Sequence, residues 1–165
     1  MLFIGIDPGR QGSLCLLDPK RPETTPLFIS MDPDGYNADA IVATLILERQ
    51  CAKTIHIALE LVHSLGGMSA KSNFTFGGMF WRAKTILDCV GLPYELVTPK
   101  VWQKAVGVPA KKDRAQIGLK ELVATMAHDL YPSAHLYGPR GGLMDGRSDA
   151  LMIAHYLKLK HQGEP

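Results

Sequence analysis

Two apolar runs that each end in a carboxylate constrain the fold of this chain more than any other feature. The first run covers residues 2–6, is closed by Asp7 and is followed by the turn residues Pro8-Gly9. The second run covers residues 55–59 and is closed by Glu60. Short apolar runs bounded by turn residues or charges predict buried strands. Both acids are therefore expected at strand ends, where α/β sheets commonly present active-site groups.

A second pair of acids stands at the start of the last predicted helix. Asp145 and Asp149 are four residues apart, so their side chains lie on one helical face, one turn apart. Like charges at this spacing destabilise a bare helix, and a hard divalent ion such as Mg²⁺, which binds carboxylate oxygens, would reverse that effect. Glu60 by itself could be a surface charge and Asp145 a helix N-cap. The four acids together predict a metal-dependent phosphoryl-transfer site.

The order of the predicted elements indicates a mixed α/β sheet. Three strands form a meander and are followed by helices that alternate with two further strands. Strands are predicted at about 2–7, 12–18, 26–31, 54–59 and 94–97, and helices at about 38–50, 74–90, 99 onward, from after Asp113 to about 128, and 146–160. The first strand is commonly central in such sheets, so Asp7 and Glu60 can be neighbours. The last helix would have to pack so that Asp145 and Asp149 face them. No repeat or linker divides the chain, and residues 1–165 are predicted to form a single domain.

Composition excludes several classes of protein. The chain is 46% hydrophobic and 21% charged, which is ordinary for a soluble globular protein. Its three cysteines have no C-x-x-C spacing, which argues against a disulfide framework or a zinc site and fits a reducing, intracellular setting. The N-terminal apolar run meets a charge within seven residues, so it predicts neither a signal peptide nor a membrane span.

Positive charge is concentrated in one stretch, although the formal net charge is only +2. Asp113 is the only acid within this basic stretch. A local basic patch of this kind predicts binding to phosphate groups, and the alternative is that it is only a solvent-exposed charged face. Its members are Lys100, Lys104, Lys111, Lys112, Arg114 and Lys120.

Aromatic residues and apolar helix positions are assigned mainly to the core. Trp81 and Trp102 are predicted to be buried, and core packing is favoured over a contact to unstacked bases for Phe74. His63 is predicted to be a loop residue, with a DNA contact or a general base as the alternative. The helix that follows Asp113 and runs to about 128 is predicted to have an apolar side consisting of Ile117, Leu119, Leu122, Val123 and Met126.

Four segments in this order resemble the RuvC-type Holliday-junction resolvases of the RNase H-like superfamily. The segments are Gly5-Ile6-Asp7-Pro8-Gly9, Leu59-Glu60, Val97-Thr98-Pro99-x-x-Trp102-x-Lys104 and Asp145-Gly146-Arg147-Ser148-Asp149-Ala150-Leu151. The resemblance spans nearly the whole chain, and the combination is specific although each motif by itself is not. The last two acids are four apart, as in the plastid resolvase branch and its bacterial and viral relatives, whereas the bacterial branch has them three apart.

The resemblance implies an RNase H-like sheet flanked by helices and a homodimeric endonuclease that cuts four-way DNA junctions by paired, symmetric nicks. It implies that Asp7, Glu60 and Asp149 bind metal, with Asp145 as a weaker match and Asp7 as the expected bridging ligand. Two Mg²⁺ ions about 4 Å apart, with Mn²⁺ able to substitute, would activate water and stabilise the leaving oxygen.

The resemblance also places DNA contacts. Lys104 and Lys112 fall near the phosphate-binding lysines of the family, and the bacterial branch has an aromatic residue where this chain has His63. The full predicted set of DNA-binding residues is Lys104, Lys111, Lys112, Arg114, His63 and Phe74.

The dimer interface is predicted on the helix at 74–90, because its apolar residues occupy more than one side. These residues are Met79, Phe80, Ala83, Ile86, Leu87 and Val90. The expected location is the cytoplasm or nucleoid of a bacterial or phage-infected cell, with an organelle as the alternative.

Other functions share parts of this pattern. Gly-Ile-Asp-x-Gly also opens the phosphate loop of sugar kinases and actin-like ATPases, but those folds need two such halves and this chain has room for one. An RNase H-like nuclease for other branched or flap DNA stays open. A non-catalytic relative that binds nucleic acid or nucleotide also stays open, although the intact acidic set argues against it.

Overall fold

The structure is a computed structural model that describes residues 1–19, 25–31, 37–51, 54–63, 67, 69–114 and 117–161. Within these residues five strands form one mixed sheet in the order β3-β2-β1-β4-β5. The strands are β1 (Leu2–Asp7), β2 (Ser13–Leu17), β3 (Leu27–Ser30), β4 (Ile55–Glu60) and β5 (Glu95–Val97). β1, β2 and β3 pair antiparallel, and β1 with β4 and β4 with β5 pair parallel. The predicted sheet, with the first strand central, is confirmed.

Helices cover both faces of the sheet. They are α1 (Ala38–Cys51), α2 (Ala70–Val90), α3 (Pro99–Ala105), α4 (Leu119–Leu130) and α5 (Asp145–Lys160). Alternate strand residues such as Ile4 pack with α1 and α2 in one core cluster. The intervening strand residues, such as Phe3, pack with α3, α4 and α5 in the other cluster. Burial on both faces explains why β1 is a continuous apolar run rather than an alternating one.

The helix predicted at 74–90 begins four residues earlier, at Ala70. Ser69 adopts extended backbone geometry and its hydroxyl accepts the Ser72 N–H at 3.1 Å, which caps the first turn. Two aromatic residues on this helix are solvent-exposed, Phe74 by 85% and Trp81 by 61%. The prediction that these two side chains pack in the core is therefore wrong. Trp102 is 1% exposed, so its predicted burial is confirmed.

The helix predicted to follow Lys112-Asp113 begins only at Leu119, with Gly118 at the N-cap position. Residues 111–113 form a turn instead, closed by the Asp113 N–H donating to the Ala110 carbonyl at 2.8 Å. Ile117 precedes the helix and is 52% exposed, so its assignment to the apolar side is wrong. Val123 is buried as predicted.

Cys15 is a buried free thiol, and Cys51 and Cys89 are exposed free thiols. No helix in the described part of the chain combines the length and apolar character that a membrane crossing requires.

Candidate active site

The parallel pairing of the two central strands brings the first two acids together. Ile6 is the register partner of Leu59, so Asp7 and Glu60, which follow these residues, end neighbouring strands at the same edge of the sheet. The Asp7 carboxylate is partly fixed there, because its Oδ1 accepts the Gly9 N–H at 3.0 Å across the turn after β1.

Two glycines allow α5 to carry the other two acids to this edge. A Cβ on Gly5 would lie 2.1 Å from the Ala150 carbonyl oxygen, and a Cβ on Gly146 would lie 2.0 Å from the Gln11 carbonyl oxygen. These contacts leave no space for any other residue, so the backbone of α5 lies directly on β1 and on the turn that follows it. Asp145 and Asp149, in the first two turns of α5, therefore reach the end of β1.

The electrostatics of the cluster show that the four acids interact. Burial raises the pKa of Asp7 to about 6, with repulsion from Asp145 adding to the effect. Burial and repulsion from Asp7 raise the pKa of Glu60 to about 7. For Asp149, burial followed by repulsion from Asp7, Glu60 and Asp145 raises the pKa to about 8. The cluster thus holds more negative charge than its surroundings stabilise, which is the condition that a bound cation relieves.

Asp145 differs from the other three acids in that both of its carboxylate oxygens already have partners. Oδ2 accepts the Lys120 ammonium in an ion pair, and Oδ1 accepts the Gly146 N–H at 3.2 Å. Asp145 is also the first helical residue, preceded by Met144 at the N-cap position, so the expectation that it caps the helix is wrong.

Two further residues contact the acids and were not identified as site residues from the sequence. Lys120, on the first turn of α4, pairs with Asp145 and also interacts with the charges of Asp149 and Asp7. The sequence showed this lysine only as part of the basic stretch. The Trp102 indole N–H donates to Glu60 Oε1 at 2.7 Å, a contact between residues 42 apart in the chain. No local sequence pattern predicts either contact, because both join residues that are far apart in the chain.

The donor chemistry of the cluster fits a hard divalent cation, since all four acids offer oxygen, and burial together with mutual repulsion raises the pKa of three of them. In the structure, however, the carboxylate oxygens of these acids are not yet close enough together to form a metal site. In the described residues no three His, Cys, Asp or Glu side chains already form a group that could hold a metal ion. Metal binding would therefore draw the carboxylates together from the positions in which Gly9, Trp102 and Lys120 hold them.

The predicted DNA-binding residues are solvent-exposed, with the exception of Arg114, which is partly buried. His63 is exposed three residues after Glu60, and Lys104 is exposed on α3 two residues after Trp102. Lys111 and Lys112 are exposed in the turn that follows α3. The two remaining members differ from each other. Phe74 is exposed on the second turn of α2, whereas the Arg114 Nε donates to the Pro109 carbonyl at 2.9 Å and so braces the turn.

The apolar residues of α2 from which the dimer interface was predicted do not form an exposed surface. All six are buried in the chain's own core, against β1, β4 and α1. That basis for the interface is wrong, because α2 packs one broad apolar face on its own sheet. The opposite face carries the exposed Phe74 and Trp81, seven residues and about two turns apart.

Comparison with solved structures identifies the fold. The structure titled "T. thermophilus RuvC in complex with Holliday junction substrate" matches with a TM-score of 0.58 at 15% identity, covering 99% of this chain and 97% of that chain. This chain has the RuvC-type, RNase H-like fold. A second match, titled "Thermus thermophilus RuvC structure", has a TM-score of 0.50 at 17% identity and covers 97% of each chain. No protein-family model and no curated protein sequence matches the chain.

Proposed function

We propose that this protein is a metal-dependent DNA endonuclease that resolves four-way junctions by paired, symmetric nicks. The observation that carries the proposal is the convergence of Asp7, Glu60, Asp145 and Asp149 at one edge of a RuvC-type sheet, with raised pKa values in three of them. A fold hosts many functions, so the argument rests on this site and not on the fold alone.

Asp7, Glu60 and Asp149 would hold Mg²⁺, or Mn²⁺ in its place, with Asp145 as an additional ligand. Two such ions, when bound, activate a water molecule and stabilise the leaving 3′ oxygen of an in-line displacement. The chain contributes partly buried carboxylates and the ends of two paired strands, which position Asp7 and Glu60. Because both Asp145 oxygens are already bonded, we expect Asp145→Asn to be the mildest of the four acid-to-amide substitutions.

Lys104, Lys111 and Lys112 would contact the DNA backbone. Their side chains are exposed, with Lys104 two residues after the Trp102 that bonds Glu60, and ammonium groups contact phosphates without reading sequence. Phe74 lies near the N-terminus of α2, and its exposed ring can stack on a base at an opened junction. His63, exposed three residues after Glu60, is the remaining candidate for a contact near the junction centre.

A homodimer would supply the second cut. The described residues of one chain carry one such acidic cluster, and a two-fold interface would place a second cluster for the opposite strand. We propose that the solvent face of α2 around Trp81 forms this interface, because that ring is 61% exposed on a helix whose other face is buried. Tryptophan is enriched at protein interfaces.

Cleavage of a synthetic four-way junction tests the proposal. Wild-type protein with Mg²⁺ should nick opposite strands at symmetric positions, with linear duplex and flap DNA as comparison substrates. Asp7→Asn should reduce cleavage to a few percent or less while junction binding in EDTA stays equal or becomes tighter, because one negative charge facing phosphate is removed. Asp129→Asn, which changes an exposed acid on α4, is the matched control and should cut normally.

The alternative functions give different results in the same assay. Equal or faster cutting of flap or single-stranded DNA would indicate a nuclease for other branched DNA. Binding without metal-dependent cleavage in the wild type would indicate a non-catalytic relative. Retention of substantial cleavage by Asp7→Asn would refute the assignment of the site.

A further inference from the structure

Trp102 combines complete burial with a hydrogen bond to one of the four acids. Its side chain is 1% exposed, and its indole Nε1 lies 2.7 Å from Glu60 Oε1. The indole N–H can only donate, so the carboxylate oxygen is the acceptor. A hydrogen bond to an ionised carboxylate in a partly buried site is among the stronger ones in proteins.

The backbone holds both partners of this bond rigidly. Glu60 is the register partner of Val97, and the Leu61 N–H donates to the Val97 carbonyl at 2.8 Å. Two residues after Val97, Pro99 begins α3 with the fixed backbone geometry that suits the first helical position. The strand pair therefore sets the distance between Glu60 and the helix that carries Trp102.

Core filling does not by itself explain a tryptophan at this position. Trp102 packs in the same apolar cluster as Phe3, Val97 and Val106, where a phenylalanine or leucine would fill space without a polar atom. A buried indole N–H needs an acceptor, and here the acceptor is an acid of the active site.

We infer that Trp102 is a positioning residue that fixes the Glu60 carboxylate through Oε1 and leaves its second oxygen outside this hydrogen bond for metal. The inference rests on the proposed metal-dependent function. Hydrogen-bond partners of metal ligands orient those ligands, and their loss typically weakens metal affinity or activity about 10–100-fold. Mg²⁺ makes the orientation important, because it demands near-ideal octahedral geometry.

Trp102→Phe tests the inference, because it removes the N–H and keeps a buried ring. We expect the Mn²⁺ dissociation constant of the free protein, measured by the electron paramagnetic resonance of unbound Mn²⁺, to rise about 10-fold or more. The Mg²⁺ concentration for half-maximal cleavage should rise in parallel, and excess metal should restore part of the rate. Phe3→Leu is the matched control, since Phe3 lies in the same cluster at the far end of β1, stacked on His56 with ring centroids 5.5 Å apart.

Two further variants keep the result decisive. Glu60→Gln and the double variant with Trp102→Phe form a cycle in which Trp102→Phe should have little additional effect once the carboxylate is gone. If Trp102→Phe does not fold, replacing Trp102 with 3-benzothienylalanine keeps the shape of the indole and removes only the N–H donor.

Unchanged Mn²⁺ binding in the folded Trp102 variant, with a loss of stability like that of Phe3→Leu, would overturn the inference and make Trp102 a core residue only. Failure of the proposed function looks different. In that case the wild type and Asp7→Asn would bind Mn²⁺ equally, or neither would bind it.

Discussion

Substituting Asp149 should stabilise the metal-free protein while it removes activity. Burial and three neighbouring acids raise the pKa of Asp149 from 3.8 to about 8, so the native state binds more protons than the unfolded state between these values. An acid with a raised native pKa makes stability fall as pH rises through that window. Asp149→Asn replaces the acid by a neutral group of similar size and should remove that loss.

The magnitude follows from the shift. An acid that titrated alone over this range would destabilise the native state by about 5 kcal/mol at pH 8, because each pKa unit is worth about 1.4 kcal/mol. Part of the Asp149 shift comes from Asp7, Glu60 and Asp145, which relax when one charge is removed. We therefore expect Asp149→Asn to raise the free energy of unfolding at pH 8 by about 1–3 kcal/mol and to change it much less at pH 4.

Urea unfolding in EDTA between pH 4 and 8 measures this effect, with the exposed Asp129→Asn as the control. The pKa of His155 is lowered by burial, which makes stability rise with pH over part of the same range, but this contribution is common to both proteins and cancels in their difference. Added Mg²⁺ should reverse the order, since only the wild type gains binding free energy. A variant that is less stable than wild type at pH 8 in EDTA would refute the account of a repulsive acidic cluster.

Three further sets of substitutions test the DNA surface, the packing of α5 and the interface. Lys104→Ala and Lys112→Ala should weaken binding to all DNA shapes. The slope of the logarithm of the binding constant against the logarithm of the salt concentration, measured by fluorescence anisotropy, should fall by about one unit per lost phosphate contact. An unchanged slope in both variants would indicate that these lysines belong to a solvated face. Gly5→Ala should lower the free energy of unfolding by about 3 kcal/mol or more because its Cβ would overlap a backbone carbonyl of α5. Gly77→Ala, where the Cβ meets open space in a helix, should be neutral or stabilising. Trp81→Glu should shift the sedimentation coefficient from dimer to monomer and uncouple the paired nicks, and a wild-type monomer that still makes paired nicks would exclude the interface.

The sequence by itself determined the sheet and the general position of the acids. Apolar runs closed by Asp7 and Glu60 specify strands that end in carboxylates, and the parallel order of these strands makes the two acids neighbours. The four-residue spacing of Asp145 and Asp149 places both on one face of α5. These features are local periodicities and chain order, which a linear sequence displays directly.

The tertiary structure decided which side chains share contacts. The start of α4 at Leu119, and not directly after Asp113, places Lys120 on its first turn and beside Asp145. Trp102 was recognisable as a core residue, but its bond to Glu60 exists only because the pairing of β4 with β5 fixes where α3 begins. The exposure of Trp81 and the burial of its apolar neighbours on α2 likewise depend on which face of the helix meets the sheet. Such contacts join residues far apart in the chain, so their energies are set by packing that no local pattern encodes.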